Sequence, residues 1–238
     1  MDSYKVLAKY YDKLMGGFNY NEIASFIIEQ NLGKCGLELG SGSGEITIPL
    51  AEAGYNITAV DMSTEMLNIA QKKALKKALN IRFLCEDIVD LDLDKQFDFI
   101  VAICDVFNYI NNEEFAIVLD KCYKMLKKGG TLIFDVSSSY KLKNVLGNNI
   151  YFEEYDEFSY FWQNELDEDE HAVDMDLVFF IKDKTGKYDR EEETQTQYYM
   201  PKKDILKLLE KFSSVEVFDD NFNKATDSST RLFFKVVK

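Results

Sequence analysis

Between residues 35 and 136, short apolar runs alternate with longer amphipathic stretches. Cys35-Gly36-Leu37-Glu38-Leu39 predicts a strand, and Ile46 to Ala53 a helix in which Pro49 is tolerable only in the first turn. Asn56 to Val60 predicts a second strand. Thr64 to Ala78 predicts a helix that places Leu67, Ala70, Ala74, Leu75 and Ala78 on one face, with Ser63 as its cap. Ile81 to Cys85 and Phe97 to Cys104 read as further strands. A helix capped by Asn112 carries Phe115, Leu119, Cys122 and Leu126 at helical spacing, and Lys127-Lys128-Gly129-Gly130 ends it. Thr131 to Val136 gives a fifth strand. Strand and helix in strict alternation predict an α/β fold, a parallel sheet covered on both faces.

After residue 148 the pattern changes period. Ile150 to Gln163 is aromatic-rich without helical spacing, and His171 to Ile181 alternates, with Val173, Met175, Leu177, Phe179 and Ile181 on one side. Lys184 to Lys187 is a turn, followed by the Thr- and Tyr-rich stretch Tyr188 to Tyr199. These segments predict an antiparallel β insertion at 149–199 within an α/β core of 1–148 and 200–238. Pro201 opens a helix to about Phe212, and Val215 to Phe218 and Leu232 to Val237 are closing strands.

The 238 residues carry 28 Lys and Arg against 42 Asp and Glu, a formal charge of −14. With only three arginines, Arg82, Arg190 and Arg231, that balance disfavours a phosphate-neutralising surface, so no nucleic-acid partner is expected. Cys35, Cys85, Cys104 and Cys122 are widely spaced and lack a C-x-x-C pair, which suits reduced thiols rather than a disulfide or zinc framework. No run is long and apolar enough to predict a membrane span, and Met1 to Tyr10 lacks a signal-peptide core. A cytoplasmic location without a membrane partner is the expectation.

Chemistry concentrates in Leu37-Glu38-Leu39-Gly40-Ser41-Gly42-Ser43-Gly44-Glu45, a strand running through G-x-G-x-G into a helix. Glycines there permit a tight turn and a close ligand approach to the backbone. A dinucleotide loop instead spaces its glycines G-x-G-x-x-G, and here Glu45 would set a carboxylate against a pyrophosphate. Asp61 ends the second strand, where an acid accepts both hydroxyls of a ribose, and Asp87 follows the third, where one accepts an exocyclic amine of adenine.

With these residues the chain resembles the class I S-adenosylmethionine-dependent methyltransferases. Glu38 to Gly44 matches the family's first motif, Val60-Asp61-Met62-Ser63 its ribose acid and adenine wall, and Glu86-Asp87-Ile88 its adenine-edge motif. Phe97 to Cys104 matches the fourth strand, and Leu126 to Leu132 the turn into the fifth. Tyr10-Tyr11-Asp12-Lys13-Leu14-Met15, together with the insertion, is similar to the small-molecule branch, which includes sugar-amine N-methyltransferases. The resemblance implies a Rossmann-like, doubly wound, seven-stranded sheet and methyl transfer from S-adenosyl-L-methionine to an N or O nucleophile of a small molecule. It implies that Glu38, Gly40, Ser41, Gly42 and Gly44 hold the methionine part, with the Cys104 carbonyl near its amino group and Tyr11 over that end. Asp61 would take the ribose, Met62 and Ile88 would sandwich the adenine, and Asp87 would take its amine. Members of that branch often carry His and Arg in the last insertion strand, where this chain has Gln195 and Tyr198.

Candidate acceptor contacts are Asn108 and Tyr109 past the fourth strand, the lone histidine His171, and Arg190, which is also placed for a cross-strand ion pair. No side chain announces a catalytic role or a metal, because displacement at a sulfonium expels a neutral leaving group. An NAD-dependent oxidoreductase and a non-enzymatic cofactor-binding protein are the alternatives.

Overall fold

A computed structural model describes Tyr10, Lys13, Leu14 and residues 18–238. Helix α1 (Tyr20–Glu29) precedes any predicted element; Asn19 caps it by accepting from the Glu22 N–H, and it buries Ile23, Ala24 and Ile27. The core then runs β1 (Cys35–Leu39), α2 (Thr47–Glu52), β2 (Asn56–Asp61), α3 (Thr64–Lys76), β3 (Arg82–Cys85) and β4 (Phe97–Ala102). A 3-10 turn (Val106–Tyr109), α4 (Asn112–Met125) and β5 (Leu126–Ser137) follow. A single π-helical turn (Lys141–Leu146) leads to β6 (Ile150–Glu154), β7 (Phe158–Asp167), β8 (Ala172–Lys182) and β9 (Tyr188–Tyr198). The closing elements are α5 (Lys202–Leu208), β10 (Ser214–Phe218) and β11 (Arg231–Val237).

Seven strands form one sheet in the order β10-β11-β5-β4-β1-β2-β3, with β11 antiparallel to both neighbours and β5-β4-β1-β2-β3 parallel. This is the expected doubly wound α/β sheet. The central strands are apolar on both faces because helices cover both. Phe97, Ile100, Phe134 and Phe234 pack on one side, and Ile57, Phe99, Val101 and Phe233 on the other.

The second sheet is an antiparallel meander, β6-β7-β8-β9. Its inner face buries Phe158, Tyr160, Val173, Met175, Leu177 and Phe179 against Leu142 and Leu146 of the π turn and against Tyr10. Alternation along β8 therefore sets the packed face as the sequence predicts.

Several boundaries differ from expectation. Asn111, not Asn112, caps α4, in a capping box with Glu114, since its side chain reaches the Glu113 and Glu114 N–H groups. The strand β5 starts at Leu126, because Leu126 already pairs with Phe97 across an irregularity before the regular register at Thr131. Helix α3 ends at Lys76, leaving Ala78 beyond it at φ 54°, and Leu75 is 77% exposed. The packed stripe is Met66, Leu67, Ala70 and Ala74; Leu75 lies about 80° round the helix from Leu67. The helix after Pro201 stops at Leu208 rather than near Phe212.

Candidate cofactor site

The loop after β1 is held by the end of β2. The Ser41 N–H donates to the Val60 carbonyl at 2.9 Å and the Gly44 N–H to the Ser41 carbonyl at 3.0 Å. Asp61 sits at the hinge: its carboxylate accepts the Gly42 N–H at 2.7 Å and the Ser63 N–H at 2.8 Å. One side chain thus fixes both the glycine loop and the start of α3, where Ser63 in turn accepts from the Met66 N–H. Each carboxylate oxygen has a second lone pair, so Asp61 retains acceptor capacity for hydroxyls. Burial pushes its carboxyl above the ordinary range, against the two N–H bonds, which pull it down.

Gly40 and Gly42 both have positive φ, 65° and 52°. A Cβ on Gly40 would meet Val106 at 2.4 Å, so that glycine is a packing requirement. A Cβ on Gly42 meets nothing within 4 Å and would project into open space. That space is a solvent-open recess of about 280 Å³, walled by Glu38, the Gly40–Ser43 loop, Tyr20, Ile103 and Cys104. Ser41 presents a buried hydroxyl without a hydrogen-bond partner here. An open cradle, an unsatisfied hydroxyl, a buried acid and a half-buried one fit a polar ligand with an amino-acid end and hydroxyls.

Glu38 is buried, and its carboxylate accepts the Thr47 hydroxyl at 2.5 Å. Burial lifts its carboxyl to about 8; the Thr47 bond opposes this and the Asp61 charge adds to it. Glu45, at the recess wall, is paired with Lys73. At the β3 end, Asp87 accepts the Val89 N–H at 2.8 Å, Ile88 is buried, and Met62 is 55% exposed. Tyr11 lies outside the described residues.

Cys104 and Asp105 leave β4 in successive left-handed conformations, φ 69° and 49°. Asp135, fully buried in β5, accepts the Cys104 N–H at 2.7 Å and the Asp105 N–H at 3.3 Å. Arg231, the first residue of β11, pairs with Asp135 and bonds Asp105 at 3.2 Å. Gln197 of β9 donates to Asp105 at 2.8 Å, and Ser137 donates to it at 3.1 Å. Burial would raise Asp105, but Arg231 and Lys141 outweigh it and hold it below its ordinary value; for Asp135 burial wins and the carboxyl is raised. Asp105, Asp135, Arg231 and Gln197 went unnoticed as a group in the sequence reading. The available signal was an acid inside the apolar run Thr131 to Val136, which a buried strand tolerates only with a partner.

The predicted acceptor residues are not gathered together. Asn108 is buried and its amide is used structurally, donating to the Ser137 and Tyr198 carbonyls and accepting the Ser137 N–H. Tyr109 is partly exposed on the 3-10 turn. His171 is exposed in the β7–β8 turn at φ 53°, its ring 5.2 Å from Tyr199. Arg190 is exposed and pairs with Glu192, two residues along the same strand rather than across it, because alternate residues share a face. A second recess of about 920 Å³ instead lies between Phe18 and Glu22, the β10–β11 loop at Phe222, and Lys141 with Arg231.

The methyltransferase domain family matches residues 37–130. The chain is 35% identical to YqeM of Bacillus subtilis, a protein assigned by name to the methyltransferases, over 99% of this chain and 97% of that one. A crystal structure of an S-adenosylmethionine-dependent methyltransferase from Clostridium acetobutylicum is 32% identical, with a TM-score of 0.87 over 98% of each chain. The sugar N-methyltransferase KedS8 of Streptoalloteichus, 19% identical with a TM-score of 0.74 over 96% and 92%, shares the fold. No described helix is long and apolar enough to cross a membrane. With the glycine cradle and the acids at the ends of β1 and β2, these likenesses settle the matter against an oxidoreductase: the chain belongs to the S-adenosylmethionine-dependent methyltransferase family.

Proposed function

We propose that the cofactor lies along the carboxyl ends of β1 to β4 and that the methyl acceptor is a small molecule entering from the larger recess, reacting through N or O. The observation that carries this reading is the open cradle at Gly42, with Asp61 bridging it to α3. In it Glu38, Gly40, Ser41, Gly42 and Gly44 hold the methionine portion with Cys104 opposite. Asp61 accepts the ribose hydroxyls, Met62 and Ile88 flank the adenine, and Asp87 takes its amine. Two fold neighbours, an amino pentose methyltransferase and a sugar N-methyltransferase, support a small acceptor without identifying it.

When bound, the cofactor supplies a methyl group on a sulfonium whose departure needs no acid. The chain's work is alignment and exclusion of water. Tyr20 and Cys104 both wall the smaller recess, and the charge of Arg231, which lines the larger one, acts on Cys104. Residues 149–199 form a cover whose β9 reaches that wall through Gln197.

Isothermal titration with S-adenosylhomocysteine and with NADH tests the cofactor placement. Micromolar binding of the first and none of the second is expected, and the reverse would refute it. A methyl-transfer screen against amine- and hydroxyl-bearing small molecules addresses the acceptor.

A further inference from the structure

We propose that Asp135 is a positioning residue for the amino-acid end of the cofactor, acting by clasping the backbone of Cys104 and Asp105 so that the Cys104 carbonyl is presented to the recess. The inference rests on the cofactor placement given above and extends it to a side chain that does not itself line the recess.

Left-handed backbone is unfavourable for an L-residue, so two such residues in succession persist only where their surroundings impose them. Cys104 and Asp105 are such a pair, and neither is glycine. The imposing group is identifiable: Asp135 takes both of their N–H groups on its two oxygens. Because Asp135 is fully buried, its carboxylate has no water to turn towards, and Arg231 pins it through the Oδ2 atom that also takes the Asp105 N–H. Arg231 itself is fixed by its bonds to Asp105 and by stacking 4.8 Å over Phe18. The clasp is therefore rigid at both ends.

Its place in the fold is what ties it to the ligand. Cys104 lines the same recess as Gly42 and Glu38, so the turn held by Asp135 is the wall facing the glycine loop. A carbonyl on that wall is suited to accept from an ammonium, and rotating the turn out of the left-handed region would re-aim it. Gln197 joins the same carboxylate cluster from β9, so the inserted sheet braces the turn as well.

Two probes separate positioning from general support. S-adenosylhomocysteine carries the amino-acid end, whereas 5′-methylthioadenosine keeps adenine and ribose and lacks it. In titrations with the full chain, the wild type should bind the first at least about tenfold more tightly than the second. Asp135→Asn, which cannot accept both N–H groups, should lose about tenfold for S-adenosylhomocysteine while methylthioadenosine stays within about twofold. Arg231→Lys, which keeps the charge but loses the fork, should show the same selective loss at about threefold and serves if the first variant does not fold. Equal losses for both ligands, or unchanged selectivity in folded variants, would overturn the inference while leaving the cofactor placement standing. A wild-type chain that binds neither ligand would overturn both.

Discussion

At the carboxyl ends of β1, β2 and β4 the chain is held by single polar side chains gripping backbone: Asp61 on Gly42 and Ser63, Asp135 on Cys104 and Asp105. The inserted sheet is held largely by area, with Phe158, Phe179 and Met175 packed on the π turn, and by dispersed polar ties, among them Gln197 to Asp105, Asn108 to the Tyr198 carbonyl, Asn164 to the Leu146 carbonyl and Lys143 to Glu168. Hydrophobic packing tolerates changes of side chain so long as volume is kept, whereas a carboxylate that takes two N–H groups admits no isostere. On the proposed reading, one region serves ligand geometry and the other cover.

The sharpest way to break the comparison is through packing. Phe179→Ala removes a fully buried ring at the centre of the inserted sheet and should cost about 3–5 kcal/mol of that sheet's stability. If the two regions are energetically distinct, thermal unfolding becomes biphasic while S-adenosylhomocysteine affinity falls less than about threefold; one cooperative transition with lost binding would join them into a single unit.

Asp61→Ala should cost about 2–4 kcal/mol of ligand binding, roughly 30- to 1000-fold by titration, because it releases the glycine loop as well as the ribose hydroxyls. A loss below threefold would reduce Asp61 to a cap. Gly42→Val forces a β-branched residue to φ 52° with its Cβ in the cradle, so binding should vanish and denaturant titration should show about 1–2 kcal/mol less stability.

Glu38 gives a pH test. A carboxyl raised in the folded state takes up a proton on folding, so this group leaves stability unaffected below 4.5 and lowers it progressively as pH rises to about 8. A ligand ammonium beside Glu38 favours the ionised form, so S-adenosylhomocysteine affinity should rise about tenfold between pH 6 and 8, and Glu38→Gln should flatten that rise. The smallest effect belongs to Arg190→Ala: its pair with Glu192 is more than half exposed, and a stability change within about 0.5 kcal/mol is expected.

Individual strands and the glycine loop were legible in the sequence because each follows from local spacing: apolar runs for β1, β2 and β4, alternation for β8, and G-x-G-x-G at a strand end. Helix α1 was missed although Asn19, Ile23, Ala24 and Ile27 carry its cap and buried face, since the stretch is short and lies ahead of the repeating pattern. The Asn111 cap was misplaced by one because two asparagines stand in succession and only geometry chooses between them. The Asp135–Arg231 clasp joins residues 96 apart in sequence, and no local period encodes a contact of that range. Asn108 shows the converse: its position past β4 suggests a ligand contact, while its amide is spent on backbone.

The antiparallel strand β11 lies between β10 and β5, and it delivers Arg231 to the two acids behind the Cys104–Asp105 turn. During synthesis a chain elongated only to residue 230 has every glycine and acid of the cofactor loops yet lacks the guanidinium that neutralises Asp105 and Asp135. Burying those two carboxylates without it is strongly unfavourable. Completion of the proposed binding wall therefore waits on β11, and cofactor binding is expected only once that strand has paired.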